Sequence, residues 1–346
     1  MVLRILEKNN LKIFLEALLR EYEVIGVVRK KVGTKNLSDS NFFDYSPLEA
    51  ADELVLDFDL TIQPPKRFLF PPEETIFQFD IKNGKIEAIF EIKPKILFGV
   101  HPYDILAINL LDKALKNNEP YQKRRENTLI FGIDPVRVSP FSFWSTMKSD
   151  KVEYGYDIML TDIGNNYVLE AKTEKGEEII KQVPTWEAFP SEIREREKVR
   201  ARIKAICDGR RLNFPMEELP LMLDKSYEHP IWERQANKCL ACATCNLVCP
   251  TCYCYDIQDS LNIDLKTGKR YRIWDACLLK DFAAISGYNF RDNIVDRYRY
   301  RFYCKGKYIY ERLGMMGCVG CGRCSWQCPT HIADPIEIYN KLKEEI

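Results

Sequence analysis

Residues 239–250 read Cys-Leu-Ala-Cys-Ala-Thr-Cys-Asn-Leu-Val-Cys-Pro, and residues 318–329 read Cys-Val-Gly-Cys-Gly-Arg-Cys-Ser-Trp-Gln-Cys-Pro. Both follow C-x2-C-x2-C-x3-C-P, the spacing that holds cubane iron–sulfur clusters. Three thiolates two residues apart can wrap three corners of a cube while backbone N–H groups point at its sulfides. The fourth corner needs a more distant thiolate. Proline after the fourth cysteine forces the chain away from the cube.

In two-cluster ferredoxins the fourth cysteine of each run ligates the other cluster. This predicts one [4Fe–4S] cluster on Cys239, Cys242, Cys245 and Cys328, and a second on Cys318, Cys321, Cys324 and Cys249. Structural zinc is the competing reading, because C-x2-C pairs also build zinc ribbons. Zinc usually takes two pairs, whereas each run offers a triplet plus Cys-Pro, and the pattern occurs twice. Iron–sulfur ligation is the stronger reading.

Composition is consistent with this. The 346 residues allow two domains and a sizeable core, and 46% hydrophobic content is that of a globular chain. With 51 basic and 51 acidic residues, nothing global points to nucleic acid or an anionic membrane surface. All 13 cysteines lie at or after Cys207, and eight sit in the two runs. That distribution argues for a reducing compartment rather than a disulfide framework. Charges break the N-terminal stretch Met-Val-Leu-Arg-Ile-Leu-Glu-Lys, so neither a signal peptide nor a membrane span is expected. The expected location is cytoplasmic.

Upstream, Leu11, Phe14, Leu15, Leu18, Leu19 and Tyr22 fall at helical spacing and predict an amphipathic helix over 10–22. Strand-like runs follow at Glu23–Val28, Glu53–Leu60, Arg67–Phe70 and Thr75–Phe79. Lys95–Val100, the helix Ile105–Lys116 and Thr128–Ile133 predict a β-α-β unit with a parallel pair. Ile158–Thr161 and Tyr167–Ala171 flank Gly164-Asn165-Asn166 and read as a hairpin. A charged helix begins after Pro190, with Ser191 as its expected N-cap and a solvated charged face. A further helix is expected over Met216–Leu223. Between the cysteine runs, Tyr255–Leu261 and Ala276–Ser286 read as helices, as does Pro335–Glu345 after them.

Weaker signals have plainer readings. Cys252, Cys254, Cys277 and Cys304 lack C-x2-C-x2-C spacing and read more simply as small buried hydrophobes than as a further metal centre. In residues 291–312, Arg297, Arg299 and Arg301 alternate with Tyr298, Tyr300 and Phe302. Such interleaving can bind single-stranded nucleic acid. Between two anionic clusters it is better read as compensating charge, or as a dock for an acidic partner. His101 and Asp104 follow a strand and read as a turn with a helix cap. His229 and His331 replace no missing ligand. No G-x-G-x-x-G or phosphate loop occurs, so no flavin or nicotinamide site is expected on this chain.

His-Pro-Ile-Trp (229–232), Cys-Pro-Thr-Cys-Tyr-Cys-Tyr (249–255), Trp-Asp-Ala-Cys (274–277), Gly-Tyr-Asn-Phe-Arg (287–291) and Cys-Val-Gly-Cys-Gly-Arg-Cys (318–324) carry a family resemblance. They resemble the beta subunit of archaeal cytoplasmic sulfhydrogenase, a family that includes the electron-transfer component of anaerobic sulfite reductase. The resemblance extends upstream through Pro64-Pro65-Lys66 and Phe98-Gly99-Val100-His101-Pro102-Tyr103-Asp104. It implies a non-catalytic electron-transfer subunit of a multi-chain complex. Such a chain works between hydrogenase-type catalytic subunits (a nickel–iron large subunit with its small iron–sulfur subunit) and a flavin- and NAD(P)H-binding subunit. Members of that family carry a cysteine where Tyr103 stands and a cysteine-rich loop where this chain has Pro135–Trp144. Without those thiols, no extra centre is expected in the first half, which reads as a docking scaffold.

The expected fold is therefore α+β and multidomain. Residues 1–185 form an α/β scaffold, 186–226 a helical linker, and 227–346 an α-helical ferredoxin-like domain with two [4Fe–4S] clusters. The expected function is an electron relay in a sulfhydrogenase-type [NiFe] hydrogenase, with sulfite reductase or another NAD(P)H-linked complex as the alternative. A structural iron–sulfur or zinc protein binding nucleic acid through residues 291–312 is the rival of another class. It would show salt-dependent nucleic-acid binding.

Overall fold

The computed structural model describes residues 3–31, 41–89 and 92–346, so Met1 and Val2 of the charge-broken N-terminal stretch lie outside the described residues. In chain order the longer strands are β1 (Leu3–Glu7), β2 (Glu23–Lys31), β3 (Asn41–Pro47), β4 (Glu73–Asp80), β5 (Lys85–Ala88) and β6 (Lys95–Val100). They continue with β7 (Thr128–Ile133), β8 (Ile158–Asp162), β9 (Asn166–Ala171), the two-residue β10 (Trp186–Glu187), β11 (Tyr255–Leu261) and β12 (Thr267–Trp274).

Eight strands form one sheet in the order β10-β1-β9-β8-β7-β6-β2-β3. Its middle, β2-β6-β7-β8, is parallel, and its flanks are antiparallel. The unbroken apolar runs of β6 and β7 belong at the middle because parallel strands are covered on both faces. Ile96, Leu97, Phe98, Ile130 and Phe131 are all removed from solvent. Helix Leu11–Glu21 places Phe14 against Phe98 and Phe131 in an aromatic cluster, with ring centroids 6.4 and 6.2 Å away. The expected β-α-β unit is present as β6, helix Pro102–Ala114 and β7. Gly99, at φ +83°, sits at an irregularity in the β6–β7 ladder, just before the chain turns at His101 into that helix.

Several local expectations fail. Residues 54–60 form no strand, and Arg67 and Phe68 lie in a 3-10 turn, Pro65–Phe68. Prolines at 64, 65, 71 and 72 fix φ and remove ladder donors there. Tyr255–Leu261 is strand β11, not a helix. It pairs with β12, which pairs in turn with β4 of the first half, giving a four-stranded sheet β11-β12-β4-β5. The Asp264 carboxylate accepts hydrogen bonds from the N–H groups of Lys266 and Thr267, closing the β11–β12 turn. Ala276–Ser286 is likewise not a helix. A short 3-10 turn, Asp281–Ala283, leads to a hairpin pairing Ala284–Ile285 with Tyr288–Asn289. Ser286 and Gly287, both at positive φ, suit that tight turn.

The charged helix runs Pro190–Cys207 with Phe189, not Ser191, at its N-cap, and Glu192 accepts from the Phe189 N–H at 2.9 Å. Its charges are not all solvated. Arg196 is buried and meets Glu170 at 3.0 Å, and Arg200 meets Asp134 at 2.7 Å, tying the helix to the large sheet. Beyond it, helices Leu219–Lys225, Ile231–Ala236, Ile294–Tyr303 and Pro335–Glu345 surround the cysteine runs. Their core gathers Trp232, Tyr298, Phe302, Tyr303 and Tyr339. The molecule thus joins an N-terminal mixed α/β sheet domain to a C-terminal domain carrying the cysteine runs. Among the described residues, no helix is long and apolar enough to cross a membrane.

Candidate iron–sulfur site

The two cysteine runs adopt matching backbone paths. In each, the residues before and after the second cysteine take left-handed φ: Ala241 (+51°) and Ala243 (+59°) in the first run, Gly320 (+68°) and Gly322 (+86°) in the second. Each run then enters a four-residue helix holding its third cysteine, Thr244–Leu247 and Arg323–Trp326. Glycine is required only in the second run. A Cβ at Gly320 would lie 2.7 Å from the backbone of Phe143, and one at Gly322 would lie 2.6 Å from that of Phe141. The second run is seated directly on the first half of the chain. The Phe143 N–H donates to Gly320 O at 2.8 Å, and Ser142 Oγ to Cys321 O at 2.9 Å.

Cys239, Cys242, Cys245 and Cys328 line one cavity, together with Leu278, Tyr298 and Arg301. Three of these thiols come from the first run and the fourth from the second. Burial, and then the neighbouring Cys324 thiolate, push the Cys318 thiol up to about 12. Burial also raises Cys321, which feels Cys324 and Cys249 across the same region. The Thr251 hydroxyl, two residues past Cys249, donates to Gly317 O, next to Cys318. Thr251 Oγ1 lies 3.2 Å from Cys249 Sγ. A hydrogen bond with Cys252 holds the Cys249 thiol well below its ordinary range, and the Lys305 and Lys66 charges act in the same direction. Among the described residues, no three His, Cys, Asp or Glu side chains are gathered tightly enough for a single metal ion. The thiols stand around cavities rather than around a point.

Three buried cations face these thiols. Lys66, Arg301 and Lys305 are 2%, 3% and 4% exposed, and among the described residues none pairs with a carboxylate. Lys66 Nζ donates to Cys252 O at 2.8 Å, and Lys305 Nζ to Thr251 Oγ1 at 2.7 Å. Arg301 leaves Nε and Nη1 without a partner. Burial opposes its charge, but the Cys245 and Cys324 thiolates outweigh that cost and raise its pKa. A bare cation in a protein interior costs several kcal/mol, so an anionic centre must compensate it. A cubane held by four thiolates is such an anion, and the residues present fit it.

Much of the remaining basic stripe is engaged as well, although Arg312 is exposed. Arg297 is buried and donates to the carbonyls of Leu278, Arg291 and Asp292. Arg299 binds Tyr227 O and Asp296, and Lys307 pairs with Asp224 and Glu311. This does not form the open cationic track that a nucleic-acid strand needs.

His101 and His229 have partners other than the thiols, and the His331 N–H donates to Cys328 O at 3.1 Å. His101 is fully buried, stacked on Phe58 at 4.2 Å, with Nδ1 2.6 Å from Tyr103 Oη, and burial pulls its pKa down to about 3. His229 Nδ1 accepts from the Ile231 N–H, and its Nε2 faces Glu345. His331 is exposed at φ +55°. Asp104 does not cap its helix, whose N-cap is His101. Instead it is the buried counter-ion of Arg323, the arginine inside the second run. Spacing carries no signal for that pair, for Thr61 beside it, or for Lys66, although segments 64–66 and 98–104 bear the family resemblance. Four of the five remaining thiols, Cys252, Cys254, Cys277 and Cys304, line a single further cavity, and the fifth, Cys207, is buried at the end of the charged helix.

Residues 238–332 match the family described as a 4Fe-4S dicluster domain. The chain is 31% identical over 314 residues to sulfhydrogenase 2 subunit beta of Pyrococcus furiosus, covering 87% of this chain and 89% of that relative. It is 27% identical over 113 residues to F420-dependent formate dehydrogenase 1 subunit beta of Methanococcus maripaludis, covering 31% of this chain and 27% of that one. No solved structure matches the chain.

Proposed function

Since the chain belongs to the family of the sulfhydrogenase beta subunit, we propose that it relays single electrons between the catalytic subunits of a sulfhydrogenase-type [NiFe] hydrogenase and a flavin- and NAD(P)H-binding subunit. More broadly, it is an iron–sulfur electron-transfer subunit with a dicluster domain, related to the beta subunits of a sulfhydrogenase and an F420-dependent formate dehydrogenase. The observation that carries the proposal is the cavity shared by Cys239, Cys242 and Cys245 with Cys328, walled by the uncompensated Arg301.

Cys239, Cys242, Cys245 and Cys328 would hold one cluster, and Cys318, Cys321, Cys324 and Cys249 the other. Bound clusters of this kind accept and release one electron at a time. Arg301, Lys305 and Lys66 offset the negative charge that reduction adds, which favours the reduced state. Arg323 and Asp104 fix the second run to the scaffold, so the two ligand sets keep one relative geometry. Residues 1–185 act as the docking scaffold, 186–226 as the helical linker and 227–346 as an α-helical ferredoxin-like cluster domain. The β4–β12 pairing makes the first and third of these one body.

The test is metal analysis and EPR of the anaerobically purified native complex. The relay predicts reducible, mutually interacting [4Fe–4S] signals, one altered by Cys242→Ser and the other by Cys321→Ser. Nickel in the complex supports the hydrogenase assignment, and sirohaem would move it to sulfite reduction. Zinc in place of iron would overturn the relay.

A further inference from the structure

Cys252, Cys254, Cys277 and Cys304 line one cavity of about 300 Å³. They arrive from three segments. Cys252 and Cys254 lie in the loop after Pro250, and Cys277 follows β12. Cys304 opens a π-helical turn, Cys304–Tyr308, at the end of helix Ile294–Tyr303. Such turns re-aim side chains within a helix and concentrate at functional sites. None of the four thiols is in a disulfide.

The lining has the chemistry of an anion site built on sulfur. Besides the thiols it presents Arg301, Lys305 and Arg312, and among the described residues no carboxylate and no histidine lines it. The Asn246 side-chain amide donates to Cys277 Sγ at 3.2 Å and to Cys252 Sγ at 3.7 Å. Arg301, 3% exposed, keeps two guanidinium nitrogens unpartnered beside it. Protonated thiols alone leave the buried Arg301 and Lys305 facing a chamber that offers them no carboxylate.

We propose that Cys252, Cys254, Cys277 and Cys304 ligate a third [4Fe–4S] cluster. The proposal rests on the relay reading of the two runs and adds a centre to it. Soft thiolates suit zinc as well as iron–sulfur clusters. A zinc ion draws its sulfurs to about 2.3 Å from one point, whereas these thiols enclose a volume and no three of them close on a single ion. The site adjoins both runs. Arg301 lines this cavity and that of Cys239, Cys242, Cys245 and Cys328, and the Cys252 N–H donates to Cys249 O at 3.3 Å. A third centre here would extend the relay without a gap.

The test compares iron, acid-labile sulfide and zinc in the full-length chain, purified anaerobically within its complex or reconstituted, with those in Cys254→Ser/Cys277→Ser. The wild type should hold about twelve irons in this chain and the variant about eight, with the signals that respond to Cys242→Ser and Cys321→Ser retained. If the double variant does not accumulate, Cys304→Ser takes its place, with serine ligation read as an altered EPR or Mössbauer signature. Eight irons in the wild type, unchanged in the variants, would overturn the third cluster and leave the two-cluster relay standing. One zinc per chain lost only in the variant would overturn it too. Loss of the Cys242- and Cys321-dependent signals in the wild type would instead sink the relay reading itself.

Discussion

Arg323, inside the second cysteine run, places Nη1 and Nη2 at 2.6 and 2.7 Å from the two carboxylate oxygens of Asp104, and both side chains are sealed from solvent. Thr61 completes the set, accepting from Nε through its carbonyl at 3.0 Å and from Nη2 through its hydroxyl at 2.7 Å. A buried pair of this kind adds little over an apolar pair, but removing one partner strands the other as an unpaired charge. Asp104→Ala should therefore destabilise the chain by about 3–5 kcal/mol. Asp104→Leu combined with Arg323→Met should recover most of that loss. Denaturant unfolding of the single and double variants checks both expectations.

Ala243 and Gly322 hold equivalent left-handed positions, the alanine with its methyl buried in the core and the glycine against the Phe141 backbone. Left-handed backbone costs an alanine about 1–2 kcal/mol, partly offset because alanine restricts the unfolded chain more than glycine does. Ala243→Gly relieves that strain but removes a buried methyl worth about 0.8 kcal/mol, so stability should change by less than about 1 kcal/mol. Gly322→Ala should destabilise by more than about 2 kcal/mol, because strain adds to the clash with the Phe141 backbone. The unfolding midpoint should fall clearly in Gly322→Ala and barely move in Ala243→Gly.

Arg301 is the charge shared by two thiol-lined cavities. Reduction adds negative charge beside it, so Arg301→Met should lower the midpoint potential of the adjoining cluster by roughly tens of millivolts. An EPR-monitored redox titration reads the shift. An unchanged potential would mean that the guanidinium does not face a redox centre.

His101 is buried with its pKa pulled down to about 3, so it is neutral in the folded protein. The unfolded chain takes up a proton near pH 6.5 while the folded one does not. The stability from this site is therefore complete above about pH 6.5 and lost progressively as pH falls toward 3. Between pH 7 and pH 5 the loss should be about 2 kcal/mol. His101→Phe should remove that slope, as seen in denaturant unfolding at the two pH values.

Much of the large sheet was legible because its signals are local. The apolar runs of β6 and β7, and the Gly164-Asn165-Asn166 turn between β8 and β9, each carry their own pattern. Strand β11 was not legible. Its residues are largely exposed, its length fits either element, and its strand character comes from β12 and β4, the latter about 180 residues away. The Ser191 cap failed for a smaller reason. Pro190 takes the first helical position, which moves the cap back to Phe189.

By itself, the sequence determined the chemistry of the cysteine runs. Thiolate spacing and the following proline are local constraints, readable from a dozen residues. Tertiary structure alone decided what surrounds them. The seat of Gly320 and Gly322 on residues 141–143, the Arg323–Asp104 pair and the inward turn of Arg301 and Lys305 join segments up to 219 residues apart. So does the gathering of Cys252, Cys254, Cys277 and Cys304 around one cavity. No spacing rule encodes such contacts, because they exist only once packing of the two halves has removed those charges and thiols from water.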